Sequence, residues 1–208
     1  MNGRAVAVRG LIGALLVLPV IAVAVTWLGR GRFTATAARL PDLGAVSDFA
    51  LIEASERPVR LADLRGKVWI ASFIFTRCAG SCPVMTHHLA LLQKQLPARD
   101  DLRLVSVSVD PERDRPEVLA KYAAANGADR SRWLFLTGDK KGIYKLSRDA
   151  FHLTVDDTAG TLEEPVLHST KLVLVDRNGI VRGYYDGTDV AAQKQLVGDV
   201  LRLLALRS

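Results

Sequence analysis

Hydrophobic and polar positions divide this chain into an apolar N-terminal stretch and an α/β body. Residues 11–28 (LIGALLVLPVIAVAVTWL) carry no charge and show no polar stripe. From residue 46 the pattern changes to short periodic segments. Lys67–Thr76 (KVWIASFIFT) is an apolar, β-branched and aromatic run, as expected of a strand covered on both faces. Pro83–Leu96 reads as a helix with Pro83 in its first turn, and Leu102–Val109 alternates as a second strand. Asp114 with Glu117 three residues later predicts a helix capped by Asp114 and stopped at Gly127. Trp133–Leu136 is a short strand and Lys140–Ala150 a helix. Ser169–Val175 and Ile180–Tyr185 form a hairpin across Asn178-Gly179, and a last helix from Val190 carries Leu196, Val197, Val200, Leu201 and Leu204 at helical period.

Strands alternating with helices imply an α/β domain with a mainly parallel central sheet and helices on both faces, closed by an antiparallel C-terminal hairpin and helix. That order is the thioredoxin-like arrangement with an insertion. The expected organisation is a short tail (1–9), a transmembrane anchor (10–29), a linker (30–45) and one domain (46–208). About 20 apolar residues at 1.5 Å rise cross a hydrocarbon core of roughly 30 Å. Pro19 is tolerable there, and Trp27 lies where an interfacial aromatic is expected. A cleaved signal peptide is the rival, since Ala35-Thr36-Ala37 fits an A-x-A site, but the apolar stretch exceeds the usual 7–15 residues. Either reading puts the body outside the cytoplasm, on the periplasmic or extracytoplasmic side, where cysteines meet an oxidising environment.

Charge does not change that picture. The net +6 comes from 28 basic and 22 acidic residues, but residues 1–39 hold five arginines and no acid, so the rest is nearly neutral. The excess belongs to the tether, which excludes a nucleic-acid-binding face. Two cysteines exclude both a disulfide-rich scaffold and an all-cysteine zinc site.

Those two cysteines are the candidate chemistry. Cys78 and Cys82 fall between the strand 67–76 and the following helix, where unpaired N–H groups and a partial positive charge favour a thiolate. Separated by four on a helical turn, the two sulfurs share one side and can bind a metal or form a disulfide. A staple closing so short a loop adds little stability. His87 and His88 project about 140° and 240° around from Cys82 and read as solvated helix residues. His152 reads as structural. His168 opens the strand that this kind of fold sets beside the cysteine helix, and is either a structural residue there or a third ligand. Two thiolates and an imidazole suit Cu(I), or Zn(II) with a fourth ligand. Met85 is a core methionine or a weak thioether ligand.

Phe73–Pro83 (FIFTRCAGSCP), Val107–Ala123 (VSVDPERDRPEVLAKYA) and Leu167–Gly179 (LHSTKLVLVDRNG) together resemble the Sco/SenC copper-chaperone family. The order and spacing agree over nearly all of residues 45–208. The resemblance implies a membrane-tethered thioredoxin-like domain binding one copper ion, with Cys78, Cys82 and His168 as ligands. It implies as partner the copper-bearing subunit of cytochrome c oxidase, or another cysteine-bearing copper client, whose dinuclear copper site is loaded or kept reduced. Asp110 matches a family position and reads as a loop acid without a catalytic role.

Two departures matter. Ala79-Gly80-Ser81 stands where Pro-Asp-Val is common, and Leu167 where an Asp is usual. Losing two nearby carboxylates disfavours Cu(II) more than Cu(I), so Cu(I) is the expected cargo, with Cu(II) the alternative. The competing function is a metal-independent thiol–disulfide reductase in which Cys78 attacks and Cys82 resolves. A peroxidase has no supporting constellation, and a copper sensor uses the same ligands. Asp156–Pro165, with four carboxylates, reads as a solvated loop.

Overall fold

The structure, a computed structural model, describes residues 39–78, 80–153, 155–156 and 167–206. The expected anchor at 10–29 and most of the acidic segment 156–165 fall outside these residues. Among the described residues no helix is long and apolar enough to cross a membrane.

The elements run β1 (Ala50–Glu53), β2 (Pro58–Arg60), α1 (Leu61–Leu64), β3 (Val68–Ile74), α2 (Ser81–Gln95), β4 (Leu102–Ser108), α3 (Pro116–Ala125), β5 (Trp133–Thr137) and α4 (Lys140–Lys145). A π-helical turn (Leu146–Ala150), β6 (Val155–Asp156), β7 (Leu167–His168), β8 (Lys171–Val175), β9 (Val181–Asp186) and α5 (Val190–Ala205) complete the order. Seven strands form one sheet in the order β2-β1-β5-β4-β3-β8-β9, and β6 pairs with β7 separately. Only β3–β4 and β4–β5 are parallel. The other four pairings of that sheet are antiparallel. The sheet is therefore mixed, not mainly parallel. The cause is the N-terminal hairpin β1–β2, whose three- and four-residue strands leave no periodic signal in ALIEASERPVR. Its turn puts Glu56 at φ 66° and closes through Glu53 N–H donating to Arg57 O at 2.8 Å.

The three parallel strands behave as the apolar runs demand. All seven residues of β3 are buried, and it pairs with β4 over its whole length and with β8 on its other edge. Being buried on both faces, it needs apolar side chains at consecutive positions. Trp69 and Phe73 share one face by the strand's period of two, and Phe151, just past the π-helical turn, covers both edge-on at centroid distances of 5.9 and 5.6 Å. α2 and α3 lie side by side, joined by the Thr86 and Tyr122 hydroxyls at 2.9 Å. α5 buries Leu196, Val200, Leu203 and Leu204, while Leu201, in the predicted stripe, stays exposed.

The hairpin β8–β9 turns where Asn178-Gly179 predicts. Gly179 takes φ 78°, and Asp176 accepts the backbone N–H groups of Asn178 and Ile180. The chain before β1 already belongs to this structure, with Leu43 N–H donating to Val181 O at 3.0 Å.

Phe151→Ala should cost about 3–5 kcal/mol, because the fully buried ring holds two aromatic neighbours and would leave a cavity between them. Urea unfolding followed by tryptophan fluorescence measures it, and a loss below about 1 kcal/mol would show that the segment around the π-helical turn collapses onto the sheet.

Candidate metal centre

β3, β4 and β5 end side by side, and the loops after them share one end of the sheet. At Phe75 the chain leaves β3. Cys78 N–H donates to Phe75 O at 3.3 Å, closing a tight turn with Thr76 and Arg77 at its centre. α2 starts only at Ser81, so Cys82 lies in its first turn while Cys78 stands outside it. The expected placement of both cysteines on one helical turn is corrected to that extent. Their proximity survives by a different route: Cys82 N–H donates to Cys78 Sγ at 3.4 Å. Both are buried, with Cys78 6% exposed and Cys82 fully covered.

Two features set this helix start apart. Gly80, the N-cap, has no side chain to accept a helix N–H, and the first turn contains no acid. Cys78 Sγ takes the place that a capping oxygen fills elsewhere. Tyr122 closes the site from α3. Burial pushes its phenol up to about 12, against the bond from Thr86, and negative charge on Cys82, Cys78 and Asp114 adds to the rise.

Asp114 is not the cap of α3. Arg115 takes that position, without a side-chain cap bond, and Pro116 opens the helix. Asp114 turns inward instead, fully buried, and accepts from Thr76 Oγ1 at 2.5 Å, Thr76 N–H at 3.0 Å and Ser108 Oγ at 2.6 Å. Asp110 is the loop acid expected, buried beside Arg113 at 3.3 Å.

The His168 backbone pairs with Val155 in the β6–β7 ladder, three residues before β8. β8 runs antiparallel to β3, so the chain before it leads back toward the end of β3 where the cysteine loop begins. Packing one turn along α2 points the same way. A Cβ on Gly187 would lie 2.7 Å from Met85 Cγ and 2.8 Å from Thr170 O, so the helix and the start of β8 meet across that glycine. Met85 is fully buried there, as a core methionine is. Among the described residues no group of three or more His, Cys, Asp or Glu side chains is arranged to hold a metal ion.

The remaining histidines separate. His87 is exposed, as expected. His88 is half-buried and not simply solvated: its Nδ1 lies 2.9 Å from the Gly187 carbonyl, to which Gln193 Nε2 also donates at 3.2 Å. It ties α2 to the start of α5, a contact that helical periodicity cannot reveal. His152 occupies a left-handed turn at φ 50° and is exposed, a structural place that histidine tolerates.

The sequence model of the SCO1/SenC family matches residues 39–205, and the chain belongs to that family. The SCO1 protein homolog of Bacillus subtilis (strain 168) is 37% identical over 157 residues, covering 74% of this chain and 80% of its own length. A Stutzerimonas stutzeri protein named for a proposed copper-binding role is 32% identical over 147 residues, 70% of this chain and 71% of its own. The solved structure of BsSco superposes with a TM-score of 0.72 at 34% identity, covering 81% of this chain and 99% of that one. BsSco is described as carrying a disulfide switch and belonging to the Sco family of cytochrome c oxidase assembly proteins.

Gly187→Ala should destabilise by about 1–3 kcal/mol, because one of the two close atoms is backbone and cannot swing away. Chemical denaturation checks it, and unchanged stability would mean that helix α2 and the start of β8 pack less tightly than these distances state.

Proposed function

We propose that this protein is a membrane-anchored copper chaperone that holds one Cu(I) ion between Cys78, Cys82 and His168 and passes it to the cysteines of a client. The observation that carries the reading is the Cys82 N–H to Cys78 Sγ contact at 3.4 Å, which holds the first cysteine's sulfur against the backbone of the second at one helix start. Two thiolates make a soft donor set, the chemistry that selects Cu(I). No carboxylate stands between the cysteines, where Ala79-Gly80-Ser81 lies, so nothing there favours Cu(II).

Copper is cargo in this scheme and stays Cu(I). Each cysteine loses its proton on binding, and the client's thiolates displace Cys78 and Cys82 one at a time, so no electron is transferred. His168, close in the chain to the start of β8, supplies a ligand from outside the cysteine loop. Cytochrome c oxidase is the client favoured by the description of BsSco, and copper by the name of the Stutzerimonas stutzeri relative. Residues 10–29 anchor the domain on the extracytoplasmic side, a reading supported by their unbroken apolar run.

One observation favours a second reading. Cys78 is the more accessible sulfur and Cys82 is fully covered, which is the order of an attacking and a resolving thiol. In that reaction a client disulfide gains two electrons to become two thiols, and Cys78–Cys82 becomes the disulfide.

Anaerobic Cu(I) titration of the detergent-solubilised chain against a chromophoric chelator separates the two. One tight equivalent is expected, abolished by Cys82→Ser. His168→Ala should weaken it beyond the roughly 10–100-fold that loss of an outer-sphere partner costs. Weak binding, or binding indifferent to His168, overturns the chaperone reading and leaves the reductase. Competition with Cu(II) should show the weaker affinity for that ion, and equal affinities would contradict the preference for Cu(I).

A further inference from the structure

Asp114 is a buried carboxylate with no role in the scheme above, and its surroundings are unusual for a charged group. It is fully covered, and its three hydrogen-bond donors are Thr76 N–H, Thr76 Oγ1 and Ser108 Oγ. Burying a carboxylate is costly unless strong hydrogen bonds replace water, and bonds to an ionised acceptor are the strong kind. Two of the three come from one residue, 38 positions away in sequence. That residue is the first of the two at the centre of the turn closed by Cys78 N–H on Phe75 O.

The position of Thr76 explains the arrangement. β3 ends at Ile74, and Val109 N–H donating to Ile74 O at 2.9 Å is the last rung of its ladder with β4. Beyond that rung Thr76 has left the sheet, and its half-buried backbone donor needs another acceptor. Asp114 is that acceptor, and it holds the Thr76 hydroxyl as well. Ser108, the last residue of β4, grips the same carboxylate, so the carboxylate is fixed to the sheet while it fixes the turn. Cys78 follows two residues later, and its sulfur accepts the Cys82 N–H.

We propose that Asp114 is the positioning residue of the cysteine pair. It sets the turn Phe75–Cys78 and through it the distance and direction of Cys78 Sγ relative to Cys82. It touches neither sulfur's cargo, and it acts only through Thr76. The affinity part of this inference rests on the copper-chaperone reading, whereas its redox part holds for either function of the pair.

The test compares three variants of the full-length chain in detergent: Asp114→Asn, Thr76→Val and Ser108→Ala. Each is read by Cu(I) affinity, by the thiol–disulfide equilibrium of Cys78–Cys82 against glutathione, and by thermal midpoint. Thr76→Val keeps the backbone bond and removes one strong hydroxyl bond, so it remains informative should Asp114→Asn fail to fold. Ser108→Ala is the control, since it removes a bond to the same carboxylate that comes from the end of β4 and not from the cysteine turn. Thr76→Val and Asp114→Asn should shift both equilibria by about tenfold, roughly 30 mV for the two-electron couple, beyond any change in thermal midpoint. Ser108→Ala should lower the midpoint and move neither equilibrium by more than about twofold. Equal shifts in all three variants would make Asp114 a stability residue only, and unshifted equilibria in Thr76→Val would overturn the proposal. Should the unaltered chain bind no Cu(I), the chaperone reading fails while the glutathione equilibrium still decides the role of Asp114.

Discussion

The constraint on which the site depends is the complete burial of β3. Val68–Ile74 is covered on both faces and hydrogen-bonded along both edges, so it cannot slide, tilt or bulge without breaking a ladder. Its end is therefore a fixed point in space, and the chain leaves it into a region where backbone donors have no strand to answer them. Three donors of the following loop find partners outside any strand: Asp114 for Thr76, the Phe75 carbonyl for Cys78, and the Cys78 sulfur for Cys82. The last of these is the chemically consequential one. It makes a cysteine sulfur the acceptor for a helix N–H, so the fold of this turn fixes where that sulfur stands.

The helices that follow the sheet show what this site forgoes. α4 and α5 begin with Asp139 and Asp189, whose side chains accept Gly142 N–H and Ala191 N–H. α2 has a glycine there and no first-turn acid. An aspartate at position 80 would satisfy the same donors and set a negative charge beside the two sulfurs, raising the cost of a thiolate. Leaving the cap to Cys78 keeps the helix end's partial positive charge for the cysteines. Such a helix start suits a copper ion and a disulfide partner equally, so accessibility and ligand number, not the helix start itself, distinguish the two proposed readings.

Much of this was legible in the sequence, for reasons that individual residues make clear. The run KVWIASFIFT had no alternative to a doubly covered strand, and Asn178-Gly179 fixed a turn by conformation alone. The pair Cys78/Cys82 stood out because its place between strand and helix follows from those neighbours. The hairpin β1–β2 escaped because strands this short carry no period, and with it went the mixed character of the sheet. His88 escaped because its partners, Gly187 and Gln193, lie about 100 residues downstream. In both cases the deciding contacts are tertiary, and local periodicity does not contain them.

Asp114 carries that lesson to its physical root. The sequence D-R-P-E satisfies every local requirement of a capping box, and as an isolated segment it would cap α3 for about 1 kcal/mol. In the folded chain the same carboxylate, itself fully buried, accepts three donors at 2.5–3.0 Å, which outweighs one exposed cap. α3 starts without a side-chain cap bond as a result, and Pro116, whose missing N–H needs no partner and whose φ is already helical, reduces the loss. Stability is thus withdrawn from the start of one helix and placed at the turn before another. That transfer is intelligible if the geometry of Cys78 matters more to this domain than the integrity of α3's first turn.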